Sequence, residues 1–257
     1  MRAKVTLLVV LTPFLLYAGF CYMLYRDQAD MLYFPVEETK SRLAEDFVLE
    51  NEGERLKIWY RPGSNQRAII YFGGNAENVV GNIGNFRTVF PDYSLYLMNY
   101  RSFGGSTGEP SEAALYSDAL ALFDKVASTH NEVYVIGRSL GSAVAAHLAA
   151  QREVRRLVLV TPFDSIENIV KERFAIFPVS WLLKDKYDVA SRVSDIAASV
   201  LVIVAENDQV VPYERSLALF SAFPDNQLET FIVRGVDHNS IGTTSQYLTL
   251  LWEFLAH

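Results

Sequence analysis

Only one cysteine, Cys21, occurs in 257 residues, so the chain can close no intrachain disulfide and offers no cysteine pair to a metal. A lack of disulfides fits either side of a membrane and leaves the redox compartment open. Basic residues are in the minority, 23 Lys and Arg against 30 Asp and Glu, and the net charge of −7 excludes a broad basic surface for nucleic acid. Internal repeats and low-complexity tracts are missing, and half of the residues are apolar, which excludes a disordered chain. Histidine is scarce too. With only four in the chain, any chemistry that needs an imidazole has few candidates.

What is present fits one α/β domain with a full core and a leader. Residues 5–25 carry no charge and are long enough as a helix to cross a bilayer core. Arg2 and Lys4 precede this run, while Arg26 beyond it is offset by Asp27 and Asp30. The charge asymmetry predicts an N-terminal signal-anchor over residues 1–25, with the N-terminus cytoplasmic and residues 26–257 on the periplasmic or lumenal side. A cleaved or lipidated leader is the rival, and 18–21 (Ala-Gly-Phe-Cys) only loosely resembles a lipoprotein cleavage site.

Beyond a linker at 31–35, strand-like runs at 46–50 and 55–60 flank Asn51-Glu52-Gly53-Glu54, a hairpin signal. Continuous apolar strands follow at 68–72, 93–98 and 133–137, and again at 156–160, 200–205 and 229–233, separated by helical or irregular sequence. Alternation of this kind predicts a mostly parallel central sheet with helices on both faces. The segment at about 163–194, after the sixth strand, is too long for a simple crossover and reads as a small cap over the strand ends.

The fifth strand runs into Gly137-Arg138-Ser139-Leu140-Gly141 and then into the small-residue helix pattern at 142–150. Strand, sharp turn and helix are the context in which G-x-S-x-G exposes a serine nucleophile. Serine needs a base, and the base needs an acid to hold it. His257 is terminal, His130 precedes the strand and His147 lies two helical turns past Ser139, so His238, in a loop beyond the last strand, is the candidate base. Asp208, directly after the seventh strand, is the candidate acid, with Glu206, Asp164 and Asp237 as rivals. The oxyanion calls for two backbone N–H donors, for which Leu140 and Asn75, in the loop 73–76, are the candidates. Phe163, Phe174, Phe177 and Trp181 in the cap are candidates for an apolar substrate pocket, packing on the core being the alternative.

Together, Tyr71-Phe-Gly-Gly-Asn-Ala76, Asn99-Tyr-Arg-Ser-Phe-Gly104, Gly137-Arg-Ser-Leu-Gly141, Asp208-Gln-Val-Val-Pro212 and His238-Asn239 resemble the Bem46-like (ABHD13/ABHD17-related) branch of the α/β-hydrolase superfamily. The membrane-proximal Gln28-Ala-Asp-Met-Leu-Tyr-Phe-Pro35 is similar as well, and Gly73 departs from the His commonly found before Gly-Asn-Ala. The resemblance implies an α/β-hydrolase fold, with Ser139 as nucleophile, Asp208 as acid and His238 as base. Hydrolysis through a covalent acyl-Ser139 is expected, with no metal and no organic cofactor. Branch members act variously as esterases, thioesterases and peptidases, so the resemblance does not fix the substrate; the apolar cap residues, with no acidic cluster to hold a peptide's amino terminus, put a small or lipid-like acyl substrate first and a peptide second. A membrane-tethered binding protein without turnover is the reading of another class. Oligomeric state is left open.

Overall fold

The computed structural model describes residues 2–224 and 226–256, with side chains from residue 11 onward. Eight strands, β1 (Glu45–Asn51), β2 (Glu54–Arg61), β3 (Arg67–Phe72), β4 (Ser94–Met98), β5 (Glu132–Arg138), β6 (Arg156–Val160), β7 (Ser199–Ala205) and β8 (Leu228–Val233), form one sheet in the order β1-β2-β4-β3-β5-β6-β7-β8. β1 and β2 are a hairpin whose turn residues Glu52 (φ +51°) and Gly53 (φ +84°) take the two positive φ values of a tight primed turn. β2 meets β4 antiparallel, and every pairing from β4 to β8 is parallel.

Parallel strands are covered on both faces, and successive side chains point to opposite sides. Ala68, Ile70 and Phe72 of β3 join one core with Leu115 and Leu122 of α3 (Glu112–Ala127) and Val144 and Leu148 of α4 (Leu140–Gln151). Ile69 and Tyr71 face the other way and share a second core with Phe86 of α2 (Ile83–Val89) and with Leu251 and Phe254 of the C-terminal helix Ser245–Ala256. α3 begins where Ser111 caps it, its side chain accepting from Ala114 N–H. β3 sits between β4 and β5, so the chain reverses its direction of sheet growth there. Crevices at such switch points, at the C-terminal strand ends, are where α/β sheets bind ligands.

α1 (Arg2–Leu32) contains the uncharged run 5–25 and continues past it, so the first two residues of the expected linker 31–35 belong to the last turn of a helix. Its C-terminal part has partners that the sequence does not announce. Gln28 accepts from Lys184 N–H (2.7 Å) and donates to Leu182 C=O (3.1 Å), and Tyr33 Oη lies 2.8 Å from Asp185 and 2.7 Å from Tyr187. Pro35 then disfavours helical backbone in the residue before it. Among the described residues no helix is long and apolar enough to cross a membrane. Met1 and the side chains of residues 2–10 of the expected anchor lie outside the described residues, as does His257.

Candidate active site

Four strand ends converge on the crevice. From β5 the chain turns into α4 through Ser139, whose backbone (φ +50°, ψ −117°) lies in a region that costs a non-glycine residue about 1–3 kcal/mol. The turn is closed from both sides. A Cβ at Gly137 would strike the Gly141 carbonyl, and a Cβ at Gly141 would strike that of Phe72, so both glycines are sterically required. Ser139 N–H donates to Val160 C=O at 2.9 Å, which pins the turn to β6.

Loops from β7 and β8 bring Asp208 and His238 to this turn. His238 Nδ1 lies 2.7 Å from Asp208 Oδ2, and its Nε2 lies 3.0 Å from Ser139 Oγ. An ionised carboxylate can only accept, so Nδ1 carries the proton and Nε2 is left to accept from the serine hydroxyl. Both side chains are buried. Asp208 is itself held by Val210 N–H (2.9 Å) and Val211 N–H (2.8 Å), both donating to Oδ1. The rival acids are engaged elsewhere. Glu206 accepts from Gly235 N–H, and Asp164 pairs with Arg215 and Asn168. Asp237 accepts from Asn239 and Ser240, and hydrogen bonds from the Ser240 backbone and then its side chain hold its carboxyl below the usual carboxylate range. His147 instead stacks flat on Tyr116 (3.8 Å between centroids), and His130 Nδ1 lies against Val126 C=O.

Leu140 is the first residue of α4, so its N–H is among those a helix start leaves without an intrahelical partner. Asn75, Ser139 and Leu140 all line one cavity. Two residues assigned nothing in the sequence tie this arrangement together. Arg138 pairs with Glu77 (3.1 Å) and donates through Nη2 to His238 C=O (2.9 Å). Glu77 in turn accepts from Gly74 N–H (2.6 Å), Tyr71 Oη (2.7 Å) and Asn82 Nδ2 (2.7 Å). Thus one largely buried ion pair links the loop after β3 to the loop carrying His238. Breaking a buried pair by removing one partner typically costs about 3–5 kcal/mol. Each charge has an ordinary local setting, a strand end for Arg138 and a loop just past Gly-Gly-Asn-Ala for Glu77, and nothing in the sequence joins the two.

A cavity of about 440 Å³ opens beside Ser139. Phe163, Phe174 and Phe177 line it, whereas Trp181 is 88% exposed and does not. Trp181 lies on a single four-residue helical turn, Val179–Leu182, in which Val179 faces inward and is buried, which leaves the indole on the outside. In its place the cavity takes Leu24, Gln28, Met31 and Leu32 of α1. Among the described residues no cluster of His, Cys, Asp and Glu could hold a metal.

A family model described as serine hydrolase matches residues 110–236, which include Ser139 and Asp208. An uncharacterized protein of Mycobacterium tuberculosis, Rv2307c, is 31% identical over 254 residues, spanning 90% of this chain and 87% of that protein. Lysophosphatidylserine lipase ABHD12 of Bos taurus is 30% identical over 226 residues, 77% of this chain but only 57% of that longer protein. Among solved structures, the esterase Pf2001 of Pyrococcus furiosus superposes with a TM-score of 0.70 over 87% of this chain and 98% of its own, at 16% identity. Mouse α/β hydrolase domain-containing protein 10 gives 0.63 over 83% and 97%, also at 16% identity. With its mostly parallel eight-stranded sheet, its elbow and these structural relatives, the chain has the α/β-hydrolase fold, and it belongs to one family with Rv2307c.

Proposed function

We propose that this protein hydrolyses esters or thioesters of apolar acyl groups through an acyl-enzyme on Ser139. The observation that carries the reading is the continuous run from Asp208 through His238 to Ser139 Oγ at the edge of an apolar cavity. In the acylation step His238 Nε2 takes the hydroxyl proton as Oγ attacks the carbonyl carbon. The oxyanion is received by the backbone N–H groups of Asn75 and Leu140. His238 then returns the proton to the leaving oxygen or sulfur, and water activated by the same imidazole releases the acid. The Ser139 strain serves this step by holding Oγ clear of the sheet.

Support for an apolar acyl group comes from the cavity walls and from the bovine relative, whose name denotes action on a lipid ester. None of the described residues lining the cavity is a carboxylate that would hold a peptide's amino terminus, which favours esters over peptides. The Bem46-like branch is our reading within the superfamily.

We further read residues 1–25 as a signal-anchor that leaves residues 26–257 on the non-cytoplasmic side. Supporting this, Phe14, Leu15 and Leu16 on α1 are 65%, 63% and 69% exposed, an apolar surface that a bilayer would cover. Full-length protein found in the soluble fraction after a carbonate wash would refute the anchor. For the chemistry, a fluorophosphonate probe should label the wild type and not Ser139→Ala. Absence of label on folded wild-type protein would refute the hydrolase reading and leave a binding role.

A further inference from the structure

The docked end of α1 stands in the path of the substrate. Leu24, Gln28, Met31 and Leu32 line the cavity together with the cap residues Phe174 and Phe177. The helix is fastened there rather than merely near. Tyr17 stacks on Phe177 at 5.6 Å and donates to Ile176 C=O at 2.8 Å, Phe20 stacks on Phe177 at 5.4 Å, and both polar ends of the Gln28 amide are bonded to cap backbone.

Its last turn also reaches the proposed oxyanion loop. The Asn75 side chain donates through Nδ2 to Leu32 C=O and accepts at Oδ1 from Phe34 N–H (2.9 Å), clamping the carbonyl that ends the helix and the amide that follows it. The backbone N–H of this same residue is the proposed second oxyanion donor. Oxyanion donors are effective only when held in place before the charge develops, and a displacement of about 1 Å can cost on the order of 10²-fold.

We propose that the C-terminal turns of α1 form the wall that selects the acyl chain, and that Asn75 is a positioning residue which makes carbonyl activation depend on α1 being docked. The substrate class is a single extended acyl chain, laid between α1 and the cap with its carbonyl at Ser139. Since α1 continues from this wall into the uncharged run at its N-terminal side, such a chain would be drawn along the helix from an apolar phase. This rests on the ester-hydrolase reading above and adds to it a specificity element outside the cap.

The test measures kcat and KM on p-nitrophenyl butyrate and dodecanoate with the full chain in detergent, normalised to folded protein by circular dichroism. Leu24→Trp fills the cavity from the α1 side and should lower the dodecanoate-to-butyrate ratio of kcat/KM by about tenfold or more. Met31→Ala widens the same side and should move that ratio the other way, so the wall remains testable if the tryptophan variant fails to fold. Asn75→Ala keeps the backbone N–H and removes the clamp. It should lower kcat about tenfold or more on both esters with little change in KM, whereas a purely structural side chain would alter the yield of folded protein and leave kcat per folded molecule alone. Ratios within twofold of wild type in both α1 variants, or an unchanged kcat in Asn75→Ala, would overturn the proposal while wild-type ester turnover left the hydrolase reading standing. If the wild type neither turned over esters nor took the fluorophosphonate label, the hydrolase reading itself would fail.

Discussion

The two sides of Ser139 are built in opposite ways. On one side, the elbow is made by neighbours in sequence: two glycines that admit no Cβ, a serine in a left-handed turn between them, and the helix that starts at Leu140. On the other, the acyl cavity is assembled from residues 24–34, 163–183 and 210–211, which meet only after the chain has folded. Groups that do chemistry must be placed to a fraction of an ångström, and short backbone motifs achieve that. A cavity that holds an acyl chain needs only apolar walls of the right spacing, so distant and irregular segments can supply them.

Removing the chemical side should therefore give the largest effects. Ser139→Ala and His238→Ala should each abolish nearly all ester turnover, and Asp208→Asn should cost on the order of 10⁴ in kcat by leaving the imidazole in the wrong tautomer. Steady-state assays on purified folded variants check this. Comparable residual activity in Ser139→Ala and wild type would place the chemistry elsewhere.

A smaller loss is expected at the strut between the two sides. Glu77→Gln keeps the shape but weakens the pairing with Arg138, so both the Gly74 N–H and the His238 carbonyl lose a fixed partner. The expected result is a fall in kcat of about tenfold to a hundredfold on short and long esters alike, with KM nearly constant. A change confined to long esters would assign Glu77 to the cavity instead.

Acid should act on the fold itself. Stability responds through His147, whose pKa is lowered from 6.5 to about 4 by burial and, secondarily, by Arg192. The folded state thus disfavours the charged imidazole. As pH falls below 6.5 the unfolded chain takes up this proton first, so the stability contribution is complete above that pH and is progressively lost down to about 4. Thermal midpoints of wild type and His147→Gln, measured between pH 7 and pH 4.5, should converge or cross on the acid side. Parallel curves would mean that His147 does not set the acid sensitivity.

The smallest effect is expected at Trp181. Because the indole is 88% exposed and outside the cavity, Trp181→Ala in detergent should leave the chain-length preference within about twofold of wild type. A marked shift would bring the indole into the acyl path.

The same division explains how much was legible in the sequence. All eight strands can be picked out, the inner ones because strands buried on both faces read as continuous apolar runs, and the largely exposed edge strands β1 and β8 by the turn residues that bound them. Ser139, Asp208 and His238 could be picked by strand ends and chain order, and the structure brings them within hydrogen-bonding distance. The cap was legible as an insertion but not as a surface. In a short irregular helix, apolar composition does not say which face turns inward, and Trp181 was misplaced for that reason. The role of α1 at the cavity was hidden by its own hydrophobicity, which reads as an anchor and conceals the docking of Gln28 and the clamp of Asn75. Arg138 and Glu77 were passed over because a charged pair far apart in sequence gives no local pattern.

The most direct test of the central claim is a burst experiment with p-nitrophenyl dodecanoate, quenched in acid and followed by peptide mass spectrometry. A rapid release of p-nitrophenol of about one equivalent per protein is expected when deacylation is the slower step, slowed by His238→Gln. The dodecanoyl mass should reside on the peptide containing Ser139. Turnover with the acyl group on another side chain, or equal turnover in Ser139→Ala, would contradict it.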